Sequence, residues 1–168
     1  CRQAGDKAVA RSANREAVAC FEQALVALAH LPASREHHEQ AIDVRLGLRH
    51  ALGQRLAHGR ILTYLREAEG FAQALGDQHR LGWVTAYITD RLVATGDLQH
   101  AVEVGQRALA LAESLGEAAL QVVVRLFLGR AYRALGDYPQ AIALLRHTLV
   151  ALDGARLQER FGRSRLSS

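Results

Sequence analysis

Small residues and glycines return along this chain at an interval of about forty residues. Leu75-Gly76-Asp77 comes back as Leu115-Gly116-Glu117, Gly96-Asp97 as Gly136-Asp137, and Ala101 with Ala108 as Ala141 with Thr148. Three separate marks share one period, and the apolar residues between them recur at helical spacing. That combination constrains the chain to a stack of helix pairs, each unit burying its apolar face on the next. Such stacks ordinarily hold other molecules and do not transform them. The pattern names a kind of activity and leaves the partner open.

Composition agrees with a folded all-α protein: 49% of the 168 residues are apolar, with two prolines and no methionine. The densest apolar stretch, Ala118 to Leu128, is broken by Gln121 and Arg125 and falls far short of the roughly 20 residues a bilayer demands. The sequence starts at Cys1 with no apolar run behind a basic segment, so we expect a soluble, cytoplasmic piece of something longer, without a leader. Cys1 and Cys20 have neither redox nor zinc spacing and predict free thiols.

The net charge of +4 raises nucleic-acid binding, which needs clustered cations. Lys7 is the sole lysine, and the arginines lie among Asp and Glu, as in Arg66 with Glu67 and Asp90 with Arg91. That is the pattern of a solvated helix face. Arg156, Arg160, Arg163 and Arg165 form the one local concentration, readable equally as a tail or as a patch.

Local signals divide the chain. Asn14 is a candidate N-cap for a helix from about Arg15 to His30 carrying Ala17, Phe21, Ala24, Leu25 and Leu28, and Pro32 ends it. Ser34 can cap a helix from Arg35 to about Ala57, with Gly59 in the turn before a partner at Arg60 to Leu75. A third pair runs from His79 to Thr95 and Leu98 to Leu115, and a fourth from Glu117 to Leu135 and Tyr138 to about Leu152. Each turn glycine can take the positive φ that ends a helix, and the Asp behind it can accept from the next helix's open amides. Pro139 suits a first turn.

In the fourth pair, Leu128-Gly129-Arg130-Ala131-Tyr132, then Gly136-Asp137-Tyr138, then Ala141, Leu145 and Thr148, resembles a tetratricopeptide repeat. The first pair keeps Ala17, Phe21 and Ala24, the third has Gly105 at the aromatic position, and the second retains Ile61, Leu65 and Ala68. The period exceeds the roughly 34-residue standard, so each pair has an extra turn or longer connections. The expected fold is an α-α superhelix, a tetratricopeptide-like solenoid of about four antiparallel helix pairs. Its repeats are placed at about 1–33, 34–77, 78–117 and 118–154, with a tail or short capping helix at 155–168. Up to about Phe161 the chain also resembles the C-terminal repeats of large bacterial signalling proteins, which follow a cyclase or transcription-factor module and an ATPase domain. That resemblance implies a regulatory or scaffolding segment.

Chemistry-bearing motifs are sparse. The sequence contains neither a Gly-x4-Gly-Lys-Ser/Thr loop nor a Gly-x-Ser-x-Gly elbow. His37 and His38 beside Glu36 and Glu39 point about 100° apart on a helix and form no His-Glu-x2-His pair. No catalytic, cofactor-binding or metal residue is assigned. The family's groove positions, carried onto this chain, are Asp43, His50 and Gln54 in the second pair, Trp83, Tyr87 and Asp90 in the third, and Arg130 and Arg133 in the fourth. Trp83 and Tyr87 can share one helix face, in groove or core, while Arg130 and Arg133 can clamp a carboxylate or be solvated surface. Arg2, Asp6 and Gly47 stand where chaperone-binding members carry their carboxylate clamp, so a chaperone tail is not the expected ligand.

The leading expectation is a non-catalytic protein-interaction module that receives a peptide, a helix or a neighbouring domain on its concave face, with self-association of the excised piece. The alternatives are a small-molecule sensor controlling an upstream ATPase or cyclase and, third, nucleic-acid binding. No membrane partner is expected.

Overall fold

A computed structural model describes residues 14–32, 34–52 and 58–149. Among the described residues there are seven helices and no strand. They are α1 (Asn14–Ala29), α2 (Arg35–Ala51), α3 (His58–Leu75), α4 (Gln78–Thr95), α5 (Leu98–Ser114) and α6 (Ala118–Leu135), followed by α7 over residues 138–149. From α1 to α6 each helix packs on the next, and α4 also touches α6. The architecture is an all-α helical-repeat solenoid, as the forty-residue period requires.

The turns explain the period. Gly76, Gly96, Gly116 and Gly136 all have positive φ, between 65° and 84°. In every case the glycine amide donates three residues back and the following amide five residues back, as in Gly96 to Val93 and Asp97 to Leu92. This pairing satisfies the last carbonyls of the helix and reverses the chain at once. At these four glycines the connections are only two or three residues long, so there the extra repeat length lies in the helices, which span 17 to 18 residues from α3 to α6.

Several local expectations are met and others are corrected. Ser34 Oγ accepts from the His37 amide, and Asp77 and Asp137 accept from the amides of Arg80 and Gln140. Asp97 makes no such bond; its carboxylate lies 3.4 Å from His100 Nδ1. Asn14 is itself helical and does not stand ahead of its helix. Gly59 lies inside α3, not in a turn, because α3 starts at His58. The expected helical stretch 53–57, the first thirteen residues and the arginines of the tail lie outside the described residues.

Burial follows the repeat. Ala17, Ile61, Ala101 and Ala141 are all buried, and so are Ala24, Ala68, Ala108 and Thr148 seven residues further on. One apolar cluster joins α1 to α2 through Phe21, Val44 and Leu48, and a second runs from Ile42 through Leu65, Val84 and Ile88 to Val104. A third holds Ala86, Ala108, Leu120, Val124 and Leu128, and Phe71 packs against both of the first two. The seam is therefore continuous from α1 to α6. Gly105, at the family's aromatic position, is filled from the next repeat: a Cβ there would stand 2.6 Å from Leu128 Cδ2 and 2.9 Å from Thr89 Cγ2.

Two substitutions separate packing from propensity. Gly105→Val overpacks this contact and is expected to lower stability by about 1–3 kcal/mol. Gly70→Ala, mid-α3 with nothing within 4 Å of the new methyl, is expected to raise it by up to about 1 kcal/mol. Urea denaturation midpoints of both variants check the opposite signs.

Candidate functional site

The wall of first helices, α2, α4 and α6, carries polar side chains and two partly buried aromatics, Tyr87 packed against the second core cluster and Trp83 against the third. On α2 the stripe Asp43, Leu46 and Arg49 follows the three-residue step of one helix face. On α4, Arg80, Trp83, Tyr87 and Asp90 extend the stripe at three- and four-residue steps. Asp77 sets where α4 begins, accepting from the Arg80 amide at 3.0 Å and from its Nη1 at 2.7 Å.

Asp43, Leu46, His79, Arg80, Trp83 and Tyr87 line an open hollow of about 330 Å³ between α2 and α4. The Trp83 and Tyr87 rings share a face, 5.9 Å apart, and both are half-buried. Arg80 Nε lies 3.7 Å from Asp43 Oδ1, and His79 pairs with Glu117. At this end of the wall, Arg80 is matched by the carboxylates of Asp43 and Asp77.

One helical turn further, the balance changes. The guanidinium of Arg49 stacks on the Tyr87 ring, its Cζ 3.6 Å from the ring centroid. Asp90 and Arg91 are almost wholly buried, 4% and 3% exposed, and pair with each other. The other Asp90 oxygen accepts from Arg130 Nη1 at 2.5 Å, across one full repeat of 40 residues. Burial pushes the Arg49 guanidinium below the ordinary arginine range and the charge of Arg91 adds to that, while Tyr87 and Asp90 oppose it. Among the described residues, Arg49 Nε meets no hydrogen-bond acceptor.

The structure brings five of the sequence-derived positions together: Asp43, Trp83, Tyr87, Asp90 and Arg130. His50 is exposed near the end of α2, and Arg133 is exposed in the last turn of α6, where no bond joins it to Asp90 among the described residues. Gln54 lies outside the described residues. Asp90 and Arg91 are not the solvated pair their adjacency suggested. Leu46, Arg49, His79, Arg80 and Arg91 were missed, although a three-residue step from Asp43 leads to Leu46 and Arg49. Gly47 packs α2 on α1: a Cβ there would stand 2.5 Å from Phe21 Cζ.

His37 Nε2 lies 3.0 Å from the Leu28 carbonyl, and His38 stacks near Phe71. Among the described residues no group of three His, Cys, Asp or Glu side chains is placed to hold a metal. No described helix is long and apolar enough to cross a membrane.

Residues 92–151, from the last turn of α4 past the described end of α7, match the tetratricopeptide repeat family model. The chain carries a tetratricopeptide-repeat-like region. Proteins built on this repeat generally mediate protein–protein interaction and are generally non-catalytic. No curated protein matches the chain.

Removing the shared carboxylate tests the buried cluster. Asp90→Ala leaves Arg91 buried beside Arg130, and a loss of about 3–5 kcal/mol is expected in urea melts. Asp77 has an acid signature of its own. Burial alone would raise its pKa, but the amide and guanidinium of Arg80 outweigh this and hold it below its ordinary 3.8. A carboxylate depressed in the folded state contributes stability above its unfolded pKa and loses it as the pH falls through the folded value. The advantage over Asp77→Ala, about 1 kcal/mol at neutral pH, should therefore persist to about pH 4 and narrow below it in parallel denaturation series.

Proposed function

We propose that this chain is a non-catalytic interaction module whose first-helix wall receives a peptide, a helix or a neighbouring domain of its own parent protein. The observation that carries this reading is the pair of half-buried rings, Trp83 and Tyr87, beside an open hollow between α2 and α4. An aromatic anchor in a pocket with charged residues around it is the arrangement that dominates binding energy at protein interfaces. The repeat-family match supports the class of activity. The proposal extends to four repeats at about 1–33, 34–77, 78–117 and 118–154 with a tail at 155–168, to a regulatory or scaffolding role within a larger bacterial signalling protein, and to a cytoplasmic setting. The hollow is open and mixed in lining, which favours a peptide over an enclosed small molecule.

The test is selection of binders from a random-peptide display library against the whole chain, followed by titration of synthetic binders. Trp83→Ala is expected to weaken them about 10–30-fold while far-ultraviolet circular dichroism keeps its helical signal. Unchanged affinity in that variant removes the wall from the binding surface.

A further inference from the structure

The last two helices of the described stack expose an apolar stripe that the repeat covers elsewhere. Tyr138, Ile142, Leu145 and Leu149 follow steps of four and three along α7, and with Leu126 on α6 they are 41–62% exposed. One period earlier the corresponding positions are covered by α6. Leu126, Leu145 and Leu149 answer to Ala86, Gly105 and Leu109. Ala86 is buried in one cluster with Leu120, Val124 and Leu128 of α6, Leu109 packs against that cluster, and Leu128 fills the space over Gly105. The covering helix is therefore a template for what fits the exposed stripe: large apolar residues at i, i+4 and i+8, as Leu120, Val124 and Leu128 are.

Charge narrows the choice. Neither α6 nor the described α7 contains Asp or Glu. Arg125 and Arg130 pair with Glu113 and Asp90, whereas Arg133 and Arg146 are exposed and no carboxylate pairs with them among the described residues. Asp137, in the turn between the two helices, accepts from the Gln140 amide. Arg146 stands one period after Gln106, whose Nε2 donates to the Tyr132 hydroxyl of the covering helix at 2.8 Å. Tyr132 is at i+12 from Leu120, so a helix seated in the same way brings its i+12 residue to Arg146.

From this register we infer that the α6–α7 end of the stack docks an acidic amphipathic helix of another protein, apolar at i, i+4 and i+8 and carrying Asp or Glu at i+12. Two other occupants fit less well. After Leu152-Asp153-Gly154 the chain offers Leu157 and Phe161 at i and i+4 but Arg165 at i+8, and Arg156, Arg160 and Arg163 add like charge. A second copy in symmetric pairing brings the same two arginines, and five exposed apolar side chains fall well short of the roughly 20–30 residues a side of a stable interface. The stripe includes neither Trp83 nor Tyr87, so the inference stands apart from the wall reading.

The probe is a designed alanine-rich helix of about 20 residues with Leu at i, i+4 and i+8 and Glu at i+12 and on the flanks, together with a twin carrying Lys for every Glu, each titrated against the whole chain by fluorescence anisotropy. The Glu helix is expected to bind about tenfold or more tightly than its twin, and added salt should narrow the gap. Ile142→Asp, at a half-exposed site where circular dichroism should keep its helical signal, is expected to weaken the Glu helix about tenfold or more. Arg146→Glu should invert the preference between the twins. Equal affinity of the twins, a preference that ignores Arg146→Glu, or binding that is absent or indifferent to Ile142→Asp overturns the inference. Affinity that rises when Leu157→Asp and Phe161→Asp are introduced assigns the stripe to the chain's own continuation, and a dimer of the chain alone that Ile142→Asp dissolves in sedimentation velocity assigns it to a second copy; either result overturns the partner helix.

Discussion

Close approach of helices at small side chains is the constraint on which the rest of this molecule depends. Ala17, Ala101 and Ala141 on the second helices, with Ala24, Ala68 and Ala108 two turns on, are buried where the neighbouring helix crosses. Dispersion is weak per contact and falls off within an ångström of the optimum, so the gain comes only when backbones are held near each other along their length. Glycines do the same at tighter points, with Leu120 set against Gly82 and Leu128 against Gly105. Larger residues such as Phe21 then fill the adjoining gaps at interior density.

That separation sets the wall. Because each pair repeats the same crossing, side chains about one period apart come within bonding distance: Asp90 with Arg130, His79 with Glu117, Arg60 with Glu22. The exposed members of this series contribute little, since surface ion pairs trade Coulomb attraction against side-chain entropy and screening. Asp90 and Arg91 are different. Taking both charges out of water is costly and their attraction offsets it only with good geometry, so their main effect is to hold neighbouring charges in fixed places. The same cluster ties α4 to α6 across one repeat.

Legibility in the sequence varied with how local the cause was. The four glycine turns were readable because a positive φ and the two backbone bonds that follow it involve only residues within one turn. Gly59 misled for the same reason, since glycine permits a left-handed turn without enforcing one, and here it stays helical. Asp97 shows the limit of side-chain capping rules, its carboxylate turned toward His100. Trp83 and Tyr87 were paired correctly from a four-residue step. Asp90 and Arg91 were misread as solvated because adjacency on a helix says nothing about which neighbouring helix covers them. Arg49 passed unnoticed because its partner, the Tyr87 ring, lies on another helix.

The amino-acid sequence alone determined the helical class, the forty-residue period, the turn positions and which second-helix residues are small enough to be crossed, since each of these follows from backbone conformation and side-chain volume at single positions. Only the tertiary structure decided that the extra length at the glycine turns lies in the helices, that Asp90 and Arg91 are buried, and that Arg49 stacks on Tyr87 while Arg130 reaches Asp90. Those outcomes depend on distances between segments about forty residues apart, and such distances are set by the packing of the whole seam.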